Sequence, residues 1–133
     1  MTDQELLQAA LAASENAYVP YSRLRVGAVV VAGSGEVYSG ANVENAAYPS
    51  TLCAEAVAIG HAVASGERTI DTVAVISPDL GSIYPCGQCR QRMAEFSAAR
   101  VIVEDADGAP IAHSLEEILP GRFTDWREGS TST

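Results

Sequence analysis

Small and apolar residues at Leu6, Leu7, Ala10, Leu11 and Ser14 recur at three- and four-residue spacing, which predicts a first helix over 3–17 with Thr2 or Asp3 as its N-cap. From Val26 the period changes. Residues 26–31 form a nearly continuous β-branched run, "GSGE" supplies turn glycines, and 37–39 resume an extended pattern, which together predict a hairpin. The stretch "GANVENAAYPST" is rich in small, amide and turn residues, the composition of a loop that displays side chains. A helix over 53–65 follows, closed by Gly66. "TVAVI" at 72–76 reads as a short buried strand, "SPDLGSIYP" as loop, and 87–98 as a helix with Met93 and Phe96 on its apolar side. Residues 101–103 form another strand, "DADG" a turn, 110–112 a further extended piece and 115–119 a short helix. Strands alternating with helices predict an α/β layer fold with helices on both faces of one sheet.

No linker, repeat or low-complexity tract divides the 133 residues, so one domain over 1–133 is expected, with a frayed, disordered tail over 127–133 ending in "GSTST". There is no long apolar run, and "MTDQELLQAALAAS" is acidic and amphipathic, unlike a secretory signal; the expectation is a cytoplasmic protein that does not enter a membrane. Eight basic residues against seventeen acidic ones give a formal charge of -9. That surface repels phosphate polymers and anionic membranes but leaves a neutral or cationic small molecule free to approach. Nucleic acid polymers are therefore poor partners.

The chain holds three cysteines, an odd number without secretory context, which points away from a disulfide framework and toward metal binding or thiol chemistry. Cys53 opens one predicted helix, and Cys86 follows Pro85 at the start of another. A helix start offers unpaired N–H groups and a positive dipole end, both of which favour thiolate, the metal-binding form. Cys86 and Cys89 are three apart and share a helical face, so they can grip one ion. By themselves they fit a redox dithiol or half a structural zinc knuckle equally well. Cys53 alters that balance, because three thiols leave one corner of a tetrahedral zinc for water, as catalytic sites do. Neither histidine completes a closed set: His61 lies about 12 Å of helix rise beyond Cys53, and His113 has no partner motif and reads as a surface histidine.

Glu55 falls two residues after Cys53. Alone, a glutamate in a first helical turn reads as dipole complementation. Beside an open, thiolate-rich zinc site it reads as the base that takes a proton from water.

These residues resemble the cytidine deaminases of the small-subunit, homotetrameric branch, whose three-cysteine signature with a non-ligand glutamate is a known zinc-deaminase pattern. The resemblance runs nearly end to end, through "PYSRLRVGA" at 20–28, "GANVENAAYP" at 40–49, "CAEAVAIGHAVASG" at 53–66, "PCGQCRQRMAEF" at 85–96 and "ILPGRF" at 118–123. It implies a three-layer α/β/α fold with a mixed sheet of about five strands. It also implies hydrolytic deamination of cytidine and deoxycytidine, with one zinc per subunit held by Cys53, Cys86 and Cys89 and protons carried by Glu55. Asn42 and Glu44 match the positions that hold the ribose hydroxyls. Ala54, Leu24, Tyr48 and Phe123 match pocket positions, the pockets being completed by neighbouring subunits of a homotetramer.

The sequence departs from the family pattern in two places. Leu24 stands where many members carry a phenylalanine lining the base pocket, and Ala56 where many carry an arginine that offsets the thiolate charge. Arg90 or Arg92 is expected to supply part of that missing charge. The blasticidin S deaminases share the cysteines, the glutamate and the lack of that arginine, so a deaminase of modified cytosine nucleosides is the alternative enzyme reading. A zinc-stabilised structural or redox module is the non-enzyme alternative.

Overall fold

The computed structural model describes residues 1–124; the expectation for 127–133 lies outside the described residues. In chain order the elements are α1 (Asp3–Ser14), β1 (Gly27–Ala32), β2 (Val37–Ala41), a single 3-10 turn (Tyr48–Ser50), α2 (Ala54–Ala64), β3 (Ile70–Ile76), α3 (Gly87–Glu95), β4 (Arg100–Glu104), β5 (Pro110–Ser114) and α4 (Leu115–Ile118). The strands form one mixed sheet in the order β2-β1-β3-β4-β5. β1 runs antiparallel to β2 and β3, β3 parallel to β4, and β4 antiparallel to β5.

Period-two alternation divides the central strands between two cores. Val29, Ala74, Ile76 and Ile102 face α1 and pack against Leu6, Leu7 and Ala10. Ala28, Val30, Val73, Val75, Val101 and Val103 face the other way, toward Ala54, Ala58 and Ala62 of α2 and Cys89 and Met93 of α3. The expected three-layer α/β/α arrangement with five strands is therefore present. No helix among the described residues is long and apolar enough to cross a membrane.

Two helices end earlier than their periodicity predicts. α1 stops at Ser14, whose hydroxyl bonds back to the Leu11 carbonyl at 2.6 Å, and the next N–H groups reach only three residues back. α3 stops at Glu95 because Ser97 turns left-handed (φ 61°) and sends the Ala98 N–H to the Met93 carbonyl at 3.1 Å. A glycine usually takes that conformation, so the serine gives no sequence signal for the stop.

Candidate active site

Two helix starts converge on one face of the molecule. Cys53 is the N-cap of α2 and Cys86 the N-cap of α3, both with extended backbone, and neither sulfur is spent on capping its own helix. Cys89 lies in the first turn of α3 and is fully buried. Gly40 on β2 lets α2 come this close: a Cβ there would lie 2.4 Å from the Ala58 nitrogen and 2.6 Å from the Ala54 carbonyl oxygen.

The three Sγ atoms lie within 4.8 Å of one another, with Cys53 and Cys86 at 4.0 Å. Four-coordinate zinc with Zn–S bonds of about 2.3 Å sets its sulfurs roughly 3.8 Å apart. The donor set therefore fits zinc in both softness and spacing. A hydrogen bond from the Cys89 thiol holds the Cys53 thiol below its ordinary range, and the same bond, with burial, pushes Cys89 up.

Glu55 is 4% exposed in the first turn of α2. Burial pushes its carboxyl up to about 7, against smaller lowering effects from its own backbone N–H and from Arg92. A carboxyl tuned to neutrality can both take and give a proton.

A cleft of about 250 Å³ opens over the cysteines, lined by Asn42, Ala54, Glu55, Cys53 and Cys86 together with Val26, Thr51, Leu52, Leu80, Ile83 and Tyr84. Next to it, and sharing Thr51, a cleft of about 320 Å³ is lined by Glu44, Tyr48, Tyr21 and Ser22. The sequence-derived set therefore divides: Asn42, Ala54 and Glu55 gather over the cysteines, and Glu44 and Tyr48 line the neighbouring cleft. Leu24 and Phe123 line neither; Leu24 is 39% exposed and Phe123 67%.

Asn42 and Glu44 also build the loop that presents them. The Asn42 side-chain oxygen accepts the Val26 N–H at 2.9 Å, and its amide donates to the Leu24 carbonyl at 2.9 Å. One Glu44 oxygen accepts the N–H groups of Tyr21 and Ser22 at 3.0 and 3.1 Å, and the other accepts the Ser22 hydroxyl. The Ser22 hydroxyl contributes most to holding the Glu44 carboxyl below the usual range. Asn42 keeps one amide hydrogen free, and Glu44 keeps lone-pair capacity.

The two candidate arginines part company. Arg92 reaches from α3 to the Cys89 sulfur, with its Nη1 3.4 Å away, and lines a surface groove with Ala56. Arg90 points elsewhere, donating to the carbonyls of Pro85 (2.8 Å) and Ile118 (2.7 Å) and tying α3 to α4. His61 bonds to the Ser39 carbonyl at 3.2 Å, away from the cysteines. His113, read from the sequence as a surface histidine without a ligand motif, lies outside the cysteine cluster and bonds to both Tyr84 and Glu117. Sequence reasoning also missed Leu80, Ile83 and Tyr84, which a loop brings to the cleft without any periodic signal.

Residues 1–105 match the family model described as the cytidine and deoxycytidylate deaminase zinc-binding region. A cytidine deaminase of Halalkalibacterium halodurans is 42% identical over 126 residues, covering 93% of this chain and 96% of that one. The crystal structure of cytidine deaminase from Burkholderia pseudomallei superposes with a TM-score of 0.85 at 41% identity, covering 92% of this chain and all of that one. A blasticidin-S deaminase of Bacillus cereus is more distant, 32% identical over 107 residues and covering 74% of this chain and 76% of its own.

Proposed function

The chain belongs to the cytidine and deoxycytidylate deaminase zinc-binding family, and from that premise we propose that it hydrolyses cytidine and deoxycytidine to uridine and deoxyuridine, releasing ammonia. The observation that carries the reading is the meeting, in one cleft, of three sulfurs within 4.8 Å and a carboxyl buried to 4% exposure.

Cys53, Cys86 and Cys89 hold the zinc, which when bound supplies the Lewis acidity that makes water a nucleophile near neutral pH. Glu55 takes a proton from the attacking water and gives it to the ring nitrogen beside the carbon under attack. It then takes the second proton and delivers it to the amino group, so the C–N bond breaks with neutral ammonia leaving. The water oxygen stays on the ring carbon as the new carbonyl. A carboxyl near 7 exchanges protons in both directions at modest cost. Asn42 and Glu44 use their spare hydrogen-bonding capacity on the ribose hydroxyls, and their backbone bonds hold them in place before substrate arrives. Ala54 offers only a methyl beside Glu55, which leaves room for a flat ring.

The whole chain acts as one catalytic domain within a homotetramer. Tyr48 and Phe123, at 72% and 67% exposure, are large aromatics in position to be covered by neighbours and to complete their pockets. Three thiols that must stay reduced to hold metal suit a cytoplasmic setting.

The test is turnover by zinc-loaded protein of cytidine, deoxycytidine, cytosine, cytidine monophosphate and blasticidin S, followed by loss of absorbance. The two nucleosides should react at least about ten times faster than the rest. Faster turnover of blasticidin S would instead favour the modified-nucleoside reading, and no turnover of any of them would reject deamination.

A further inference from the structure

Tyr84 is the single aromatic among the described residues lining the cleft over the cysteines. It is 46% exposed, and a tyrosine that open is ordinarily free to change rotamer. Here it is pinned. Its hydroxyl lies 2.9 Å from His113 Nε2 on the edge strand β5, with the two rings tilted at a centroid distance of 5.3 Å. His113 Nδ1 lies 3.2 Å from a Glu117 oxygen, and the other Glu117 oxygen accepts the Ser114 N–H at 3.3 Å in the capping box of α4. An ionised carboxylate can only accept, so in the neutral imidazole Nδ1 carries the proton and Nε2 accepts the Tyr84 hydroxyl. A chain of hydrogen bonds thus runs from the α4 backbone, through Glu117 and His113, to the wall of the cleft.

Fixing a ring before a ligand arrives removes an ordering cost from binding, and aromatic side chains are favourable platforms for nucleobases. Leu24, outside the cleft, offers no ring for this. We propose that Tyr84 is the aromatic contact for the pyrimidine base and that His113 and Glu117 are positioning residues that hold its ring. The inference rests on the deaminase reading of the site.

The test measures KM and kcat for cytidine, and Kd for the product uridine by calorimetry. The zinc-loaded proteins compared are wild type, Tyr84→Phe, Tyr84→Leu, His113→Ala and the Tyr84→Leu/His113→Ala double variant, each checked for fold by circular dichroism. Tyr84→Leu should raise KM and the uridine Kd about tenfold, in line with base–aromatic contacts, with kcat within about threefold. Tyr84→Phe, which keeps the ring but loses the hydroxyl bonded to His113, and His113→Ala cut the same link, so both should fall between wild type and Tyr84→Leu and close to each other, a rise of about threefold. The double variant should match Tyr84→Leu, because His113 acts through the tyrosine. Unchanged KM and Kd in Tyr84→Leu would overturn the base contact, and additive losses in the double variant would overturn the relay. A wild type that binds uridine but fails to turn over cytidine would count against the deaminase reading instead.

Discussion

In the proposed reaction Glu55 carries the heaviest chemical demand of any single residue, and burial is what would equip it. Replacing it with glutamine keeps the shape and removes the proton carrier, so turnover should fall by at least about 10²–10⁴-fold while zinc content, measured by elemental analysis, stays at the wild-type level. A variant that kept its rate would remove Glu55 from the mechanism. The raised carboxyl also has a stability consequence. The fold favours the protonated form, a contribution complete below the ordinary value of 4.5 and lost as pH rises through about 7. Melting curves of the metal-free proteins at pH 5 and pH 8 should therefore show the wild type losing ground to Glu55→Gln at the higher pH; a gap that does not change with pH would contradict this. Arg92 and Arg90 make a second contrast. With its guanidinium 3.4 Å from Cys89, Arg92 offsets part of the thiolate charge, so Arg92→Gln should lose zinc to a chelator about tenfold faster without changing the fold. Arg90→Gln, which cuts the α3–α4 tie, should lower the melting temperature and leave zinc retention near normal.

At the scale of elements, the site depends on how closely α2 lies on the sheet. Gly40→Ala puts a methyl into the α2 backbone and should destabilise the fold by about 1–3 kcal/mol, and because α2 carries Cys53 and Glu55 it should lower kcat as well. Gly27 is an internal control. A Cβ there would meet the Ala10 carbonyl oxygen of α1 at 1.9 Å, on the other face of the sheet, so Gly27→Ala should cost comparable stability while the rate per folded, zinc-loaded molecule is kept. Equal losses of rate in the two variants would count against the claim. The helix starts were legible in the sequence, because Cys53, Pro85 and Cys86 carry positional chemistry. The end of α3 was not: Ser97 adopts a left-handed backbone without being glycine, so the apolar period runs on past the true stop. Nor was the Tyr84–His113–Glu117 chain, whose members come from a loop, a strand and a helix that only the tertiary fold brings together.

Across the whole molecule, helices on both faces of one sheet were readable from strands alternating with helices along the chain, whereas the division of strand residues between the two cores was not, because the central strands are apolar on both faces. The cysteine cluster able to hold a metal ion was readable for a different reason: three cysteines were the whole thiol supply, and each stands at or near a helix start. The remainder of the pocket was less legible. Glu44 and Tyr48 line an adjoining cleft, and Leu24 and Phe123 line neither; the loop paths that decide this leave no periodic trace. The net charge of -9 implies that single-stranded DNA or RNA should not be deaminated at any salt concentration; a rate that grew as salt was lowered would point to a polymer substrate. The central claim is that Cys53, Cys86 and Cys89 would hold one zinc, whose Lewis acidity the reaction needs, and that Glu55 moves the protons. Its most direct test follows zinc per chain and cytidine turnover in the same sample as a chelator removes the metal. One zinc per chain at the start, with turnover falling in proportion to the zinc lost and returning on reloading, is the predicted result; full turnover in zinc-free protein would contradict it.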